Sequence, residues 1–129
     1  MFTITQIQAA HSKVKSGADF PAYILEIKKL GVTRYETFIE DGHTNYYAIE
    51  GHKTTSPARY DSLFIAPTAN PDQFKADLKA HQKGASNYLT FCCEAAESGI
   101  EKWIVCLDQM NCTYYDRTGT IILVEQIPY

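Results

Sequence analysis

The chain has 129 residues, an apolar content of 45% and a formal net charge of -3. This length and apolar content suffice for one hydrophobic core, which argues against a disordered or fibrous chain. The Lys and Arg residues are scattered and form no basic stripe, so we expect no nucleic-acid partner.

The start of the chain, "MFTITQIQAAHSKVKSG", lacks a basic stretch followed by an apolar run, so no signal peptide is predicted. No run approaches the roughly 20 apolar residues of a membrane span, and we expect no membrane partner. Four cysteines in a chain without an export signal are expected to stay reduced. These features predict a cytoplasmic protein.

Two helices are predicted at the start of the chain. Residues 3–15 place Ile4, Ile7 and His11 on one helical face, and Thr3 with Gln6 fits a capping box. Residues 18–32 follow as a second helix, with Asp19 as its N-cap and Gly31 at its end.

Three strands are predicted next. Two β-type runs near residues 33–40 and 43–50 flank Asp41-Gly42, a dipeptide that favours a type I′ hairpin because Gly adopts positive φ without strain. The stretch "HKTTSPA" is predicted to be a loop, and "RYDSLFIAP" at 59–67 a third strand.

The same order of elements follows in the second part of the chain. A third helix begins at Asn70 and places Phe74, Leu78 and His81 on its inner face. A fourth helix is predicted to be capped by Ser86 and to end at Gly99. The stretches "IEKWIVCL", "NCTYYD" and "TIILVEQIP" then predict three more strands.

An internal repeat emerges when the chain is shifted by 68 residues, so that "GVTRYETFIEDGHTNYYAIEG" lies over "GIEKWIVCLDQMNCTYYDRTG". Convergent amphipathic patterning is the alternative to duplication. The identical pairs are Gly31/Gly99, Tyr46/Tyr114, Tyr47/Tyr115 and Gly51/Gly119.

The predicted fold is therefore α+β, with an ααβββ unit repeated around a pseudo-two-fold axis and antiparallel strands covered by helical hairpins. The expected organisation is a single domain over residues 1–129, with halves at about 1–67 and 68–129. Alternation places Tyr35, Thr37 and Ile39, and their counterparts Trp103, Val105 and Leu107, on the inward face. The pattern leaves open whether the strands form one sheet or two, and a groove is expected at the axis.

Two histidines are the first candidate ligand-binding residues. His11 and His81 lie on apolar faces of equivalent helices, and in a pseudo-symmetric fold they could approach each other across the axis as a general base or ligand. The alternative is that each is a core residue bonded to backbone carbonyls.

Two tyrosines are the second pair of candidates. Each of the dipeptides Tyr46-Tyr47 and Tyr114-Tyr115 puts one ring on each face of a sheet, so that Tyr47 and Tyr115 could contact a ligand. Cross-strand aromatic packing is the alternative.

No metal or cofactor site is expected. Cys92 and Cys93 are adjacent on a helix and point apart, and five residues separate Cys106 from Cys112, so neither pair has the spacing of a zinc site. Packing cysteines are favoured over a metal or redox role. No phosphate loop, nucleophile elbow or H-E-x-x-H helix is present.

The stretches "DFPAYILEIKKLGVTRYE" and "YLTFCCEAAESGIEKWIVCLDQMNCTYYD" resemble a family of short uncharacterised proteins from enteric bacteria and prophages, some labelled phage envelope protein. The resemblance covers nearly the whole chain. It implies no catalytic residues, because the family has no assigned activity, and the envelope label implies a secreted or virion role.

These observations favour a non-enzymatic binding or protein-interaction domain, with a protein or small molecule as its unidentified partner and a homodimer as one form of that interaction. The alternative is a small-molecule enzyme or sensor that uses His11 and His81 at the axis. This alternative requires both rings to line one cavity.

Overall fold

The structure is a computed structural model that describes residues 2–14 and 19–127, without the side chain of Glu50. The predicted end of the first helix at residue 15 and that of the last strand at 128 lie outside these residues. The elements in chain order are α1 (Ile4–His11), α2 (Phe20–Lys29), β1 (Val32–Phe38), β2 (Thr44–Ala48), β3 (Lys53–Thr55), α3 (Pro71–Gln82), α4 (Tyr88–Glu97), β4 (Ile100–Cys106), β5 (Asn111–Asp116) and β6 (Ile121–Gln126).

The strands form one antiparallel sheet in the order β3-β2-β1-β4-β5-β6. The predicted α+β class is confirmed, and the question of one sheet or two is answered in favour of one. Strands β1 and β4 pair at the centre, and each half of the chain continues outward from that pair as an antiparallel meander.

The register of the sheet repeats under the shift of 68 residues. At the centre, Glu36 lies opposite Ile104, its own counterpart, while Arg34 faces Cys106 and Phe38 faces Lys102. The pairs of β1 with β2 map onto those of β4 with β5, including an irregularity at the start of each strand. Internal duplication stays a prediction, and this matching register is what it requires.

The core lies between the helices and one face of the sheet, called here the inner face. Tyr35, Thr37 and Ile39 of the first half are buried there, as are Val105 and Leu107 of the second, as alternation predicts. Trp103 is only partly buried but packs against the same core. The helices contribute Ile7, Ile24, Ile27, Phe74, Leu78 and Phe91.

Helix starts follow local side-chain chemistry. The predicted capping box of α1 is present, with Thr3 Oγ1 accepting from the Gln6 backbone N–H and Gln6 Oε1 accepting from the Thr3 backbone N–H. The predicted cap of α4 was one residue early, because Asn87 accepts from the Thr90 N–H. Ser86 instead contacts His81 through its carbonyl and hydroxyl oxygens.

The prediction of a third strand at residues 59–67 was wrong. The third strand is β3, within the stretch predicted as a loop, and residues 56–70 contain no helix or strand. Backbone N–H groups of this segment donate to carbonyls at the β1–β2 turn and at the end of α4, including Leu63 to Glu40 and Ala66 to Ala96. Because its hydrogen bonds go to these separate elements, the segment crosses the end of the sheet and extends no ladder.

The hairpin between β1 and β2 also differs from the type I′ prediction. Gly42 has φ of +77°, but Asp41 lacks the positive φ that a type I′ turn requires at both central residues. The equivalent turn in the second half places Met110, at φ +52°, where the first half has Gly42. The two hairpins therefore share a left-handed residue at the same position.

Candidate functional site

The face of the sheet opposite the helices, called here the outer face, is the first candidate site. None of its side chains belongs to the set of buried residues that form the core. By alternation and register it carries Arg34, Glu36, Phe38, Asn45, Tyr47, Lys53, Lys102, Ile104, Cys106, Thr113, Tyr115, Ile121 and Val124.

Three cation–aromatic contacts lie on the outer face, and two of them, Arg34 with Tyr47 and Lys102 with Tyr115, are at matched positions of the two halves. The Arg34 guanidinium is 3.9 Å from the centre of the Tyr47 ring. Its counterpart, the Lys102 ammonium, is 5.7 Å from the centres of both the Tyr115 and Phe38 rings. Each contact holds an amphipathic ring beside a cation on an open surface, a composition typical of interaction surfaces.

An ion pair lies near the centre of this face. Lys102 Nζ donates to Glu36 Oε2 at 2.7 Å, and the two side chains are 27% and 13% exposed. The pair joins β4 to β1, so it links the two halves of the chain. Glu36 is thus engaged by Lys102, and Arg34 on the same face has no carboxylate partner among the described residues.

Strand β6 forms one edge of the sheet and adds apolar surface to the outer face. Ile121 is 56% exposed and Val124 is 53% exposed. Their Cα partners on β5 are Tyr115 and Thr113. The pairing is irregular at the start of β6 and regular from Leu123 to Gln126, so most of the strand presents a straight edge with no further strand beside it among the described residues.

A second candidate site, called here the α1 cleft, lies between α1 and the segment that follows β3. Its volume is about 400 Å³, and its lining residues are Gln8, His11, Ser12, Ser56, Pro57, Ala58 and Arg59. The His11 ring packs edge-on against Tyr23, with centroids 5.3 Å apart. Burial, and then the nearby Arg59 charge, lower the pKa of His11.

His81 has a different environment. Its ring stacks on Phe91 at 4.5 Å, and Nδ1 lies 3.0 Å from the Ser86 carbonyl oxygen. Because His11 contacts α2 and His81 contacts α4, the two rings pack against different helical hairpins, and His81 does not line the α1 cleft. His11 and His81 therefore do not lie together, and neither of them lies beside Tyr47 or Tyr115 on the outer face.

The cysteines are all free: Cys92 and Cys93 lie on α4, and Cys106 and Cys112 lie on opposite faces of the sheet. Burial raises the pKa of the Cys112 thiol to about 12, and burial also raises the pKa of Cys92. Both thiols are therefore protonated at neutral pH, which disfavours metal ligation and nucleophilic attack. Within the described ranges, no three His, Cys, Asp or Glu side chains cluster as a metal site would require.

Arg59 is the residue of these sites that sequence reasoning missed. It was assigned to a strand, whereas it lies in a segment whose path depends on bonds to distant backbone, such as its own N–H donating to the Asp41 carbonyl at 2.8 Å. No local pattern in the sequence signals this position, because the bonds that fix it join residues far apart in the chain.

Among the described residues, no helix is long and apolar enough to cross a membrane.

Comparison with known proteins gives the chain a family. The chain is 18% identical to the uncharacterised protein YcgX of Escherichia coli (strain K12) over 127 residues, which cover 98% of this chain and 95% of that protein. The model of a protein family of unknown function, DUF1398, matches residues 8–126. The chain therefore belongs to the DUF1398 family.

Proposed function

We propose that this chain is a non-enzymatic protein-interaction domain that forms a homodimer through the free edge of β6 and the adjoining part of the outer face. The observation that carries the proposal is the pair of large apolar side chains, Ile121 and Val124, that are more than half exposed on a six-residue edge strand.

The two edges of the sheet differ in a way that supports this assignment. Strand β3 has three residues and carries Lys53, and a short edge with a lysine resists pairing with another chain. Strand β6 has six residues, of which the first four, from Ile121 to Val124, are apolar and uncharged. An unprotected edge of this kind is a template for a further strand.

A second copy of the chain is the partner that best fits this edge. Two β6 strands can pair antiparallel about a two-fold axis, which is the commonest symmetry of homodimers. No charge lies between Ile121 and Val124, so the two copies would not repel each other there. The Ile121 and Val124 side chains of both copies would meet at the seam beside Tyr115, which removes apolar surface from water.

The test is sedimentation equilibrium of the full chain from about 1 µM to 1 mM, a range that covers weak interfaces. The expected result is a concentration-dependent dimer for the natural chain and a monomer for Val124→Lys, because each copy would bring a charged lysine into the apolar seam. Ile49→Lys is the matched control, since Ile49 is 74% exposed and lies outside β6. This control should dimerise like the natural chain.

Two outcomes would contradict the proposal: a natural chain that stays monomeric throughout this range, or a folded Val124→Lys variant that dimerises as strongly as the natural chain. Far-UV circular dichroism of each variant checks the fold. A dimer weakened equally by Ile49→Lys and Val124→Lys would place the interface elsewhere and would also reject the proposal.

A cytoplasmic location and a prophage origin belong to the same proposal. Four free cysteines suit a reducing compartment, where disulfides do not persist. Tyr47, in the first half of the sheet, stays a predicted contact residue of the outer face, together with Arg34 above its ring.

A further inference from the structure

We propose that the α1 cleft binds a small molecule through an anionic group, a phosphate or a carboxylate, which Arg59 and His11 recognise. This site is separate from the β6 edge, because it lies on the side of the sheet that carries the helices. Nothing in its chemistry depends on the homodimer.

Arg59 supplies the fixed positive charge. No carboxylate of the described residues forms an ion pair with its guanidinium. The guanidinium lies 5.6 Å from the centre of the Tyr88 ring, and the Arg59 backbone is held by its hydrogen bond to the Asp41 carbonyl. A guanidinium with free donors in a concave site is suited to a bidentate contact with a phosphate or a carboxylate.

His11 supplies the second donor. The ring rests on Tyr23, and neither ring nitrogen has a hydrogen-bond partner among the described residues. The equivalent His81 differs, because its Nδ1 lies within 3.1 Å of both Ser86 oxygens. His11 is therefore the histidine of the pair that is available to a ligand.

The remaining lining favours an anion over a cation. No acidic side chain of the described residues lines the cleft. The Ser56 hydroxyl is engaged by the Thr44 backbone, and the Ser12 hydroxyl donates to the Ala9 carbonyl at 2.7 Å. The free donors are therefore Arg59, His11 and the Gln8 amide, and the volume of about 400 Å³ suits a small metabolite.

The charges around His11 make its pKa a measure of anion binding. Burial and the Arg59 charge lower its pKa in the empty cleft, and the groups that face it are Arg59 and the neutral Tyr23 ring. A bound anion adds a negative charge beside the ring and favours the imidazolium. The pKa of His11 should therefore rise on binding, while the resonances of the His81 ring, which lies outside the cleft, should not shift.

The experiment follows both imidazole rings by NMR during titration of the full chain with inorganic phosphate, and separately with acetate. Sodium chloride at matched ionic strength controls for screening. The expected result is a saturable shift of the His11 resonances and a higher His11 pKa with at least one of the two anions. The comparison of phosphate with acetate identifies which anionic group the cleft prefers.

Arg59→Gln tests the role of the guanidinium, and Arg117→Gln is the matched control, because Arg117 is also exposed but lies outside the cleft. Arg59→Gln should raise the pKa of His11 without ligand and weaken anion binding roughly tenfold or more, as expected for loss of a charged hydrogen bond. Arg117→Gln should change neither quantity. Equal shifts of His11 and His81, equal effects of chloride, or unchanged binding in Arg59→Gln would each overturn the proposal.

Discussion

Substitution of Gly99 by alanine should destabilise the protein far more than the same change at another left-handed glycine. Gly99 joins α4 to β4 with φ of +79°, and a Cβ placed there would lie 2.7 Å from the Thr68 carbonyl oxygen. The neighbouring chain cannot move away cheaply, because the Asn70 N–H donates to the Ser98 carbonyl at 2.9 Å. Gly99→Ala therefore combines backbone strain with a clash against backbone atoms.

Gly119 provides the matched control. Its φ is +84°, and a Cβ placed there would have no neighbour within 4 Å. Gly119→Ala should lose only the conformational term of about 1 to 2 kcal/mol in the free energy of unfolding. Gly99→Ala should lose this amount plus about 1 to 3 kcal/mol for overpacking, or roughly 3 kcal/mol in total.

Urea denaturation of the two variants and the natural chain measures this difference. A loss of roughly 3 kcal/mol is a large part of the stability of a typical domain, about 5 to 15 kcal/mol, so the midpoint should fall clearly. Equal losses of stability at the two glycines would refute the reasoning, because they would show that the backbone at Thr68 moves to make room for the methyl group without destabilising the fold. A changed slope in urea would mean that the unfolded or native state had altered as well.

Two further predictions concern ionisable groups. The pKa of Cys112 rises from its ordinary 9.0 to about 12 in the folded chain, so the unfolded thiol ionises first and the free energy of unfolding should fall as the pH rises above about 9. Cys112→Ala should reduce this slope between pH 9 and 10 in a pH series of urea midpoints, and an unchanged slope would contradict the assignment. Glu36→Gln should cost roughly 1 kcal/mol by removing the partner of the partly buried Lys102, and a double-mutant cycle with Lys102→Met that shows no interaction energy would contradict it.

Local signals in the sequence predicted the parts of the fold that local chemistry determines. The capping box at Thr3 and Gln6 and the helix ends at Gly31 and Gly99 depend on residues a few positions apart. Alternation likewise predicted which residues of β1 and β4 face the core. The confirmed elements are those whose hydrogen bonds and packing direction can be worked out within one segment.

The wrong assignment of residues 59–67 has a different cause. Leu63 and Ile65 alternate with more exposed neighbours in the manner of a strand, and both pack partly against the core. The segment forms no ladder because its N–H groups donate to the carbonyls of residues such as Glu40 and Ala96, which are far away in sequence. Pattern alone cannot distinguish burial against the end of a sheet from burial within it, and the position of Arg59 in the α1 cleft was missed for the same reason.

The β6 edge and the α1 cleft lie where the two halves differ. Tyr46 and Tyr114, which match under the 68-residue shift, are buried and explained by packing, whereas the matched Tyr47 and Tyr115 lie on the outer face. The edges differ, because β3 is short and charged whereas β6 is longer and apolar. The histidines differ too, since His81 is bonded within the chain and His11 faces a cleft. If the halves descend from one unit, the departures from symmetry at the β6 edge and in the α1 cleft are surface features that the fold alone does not require.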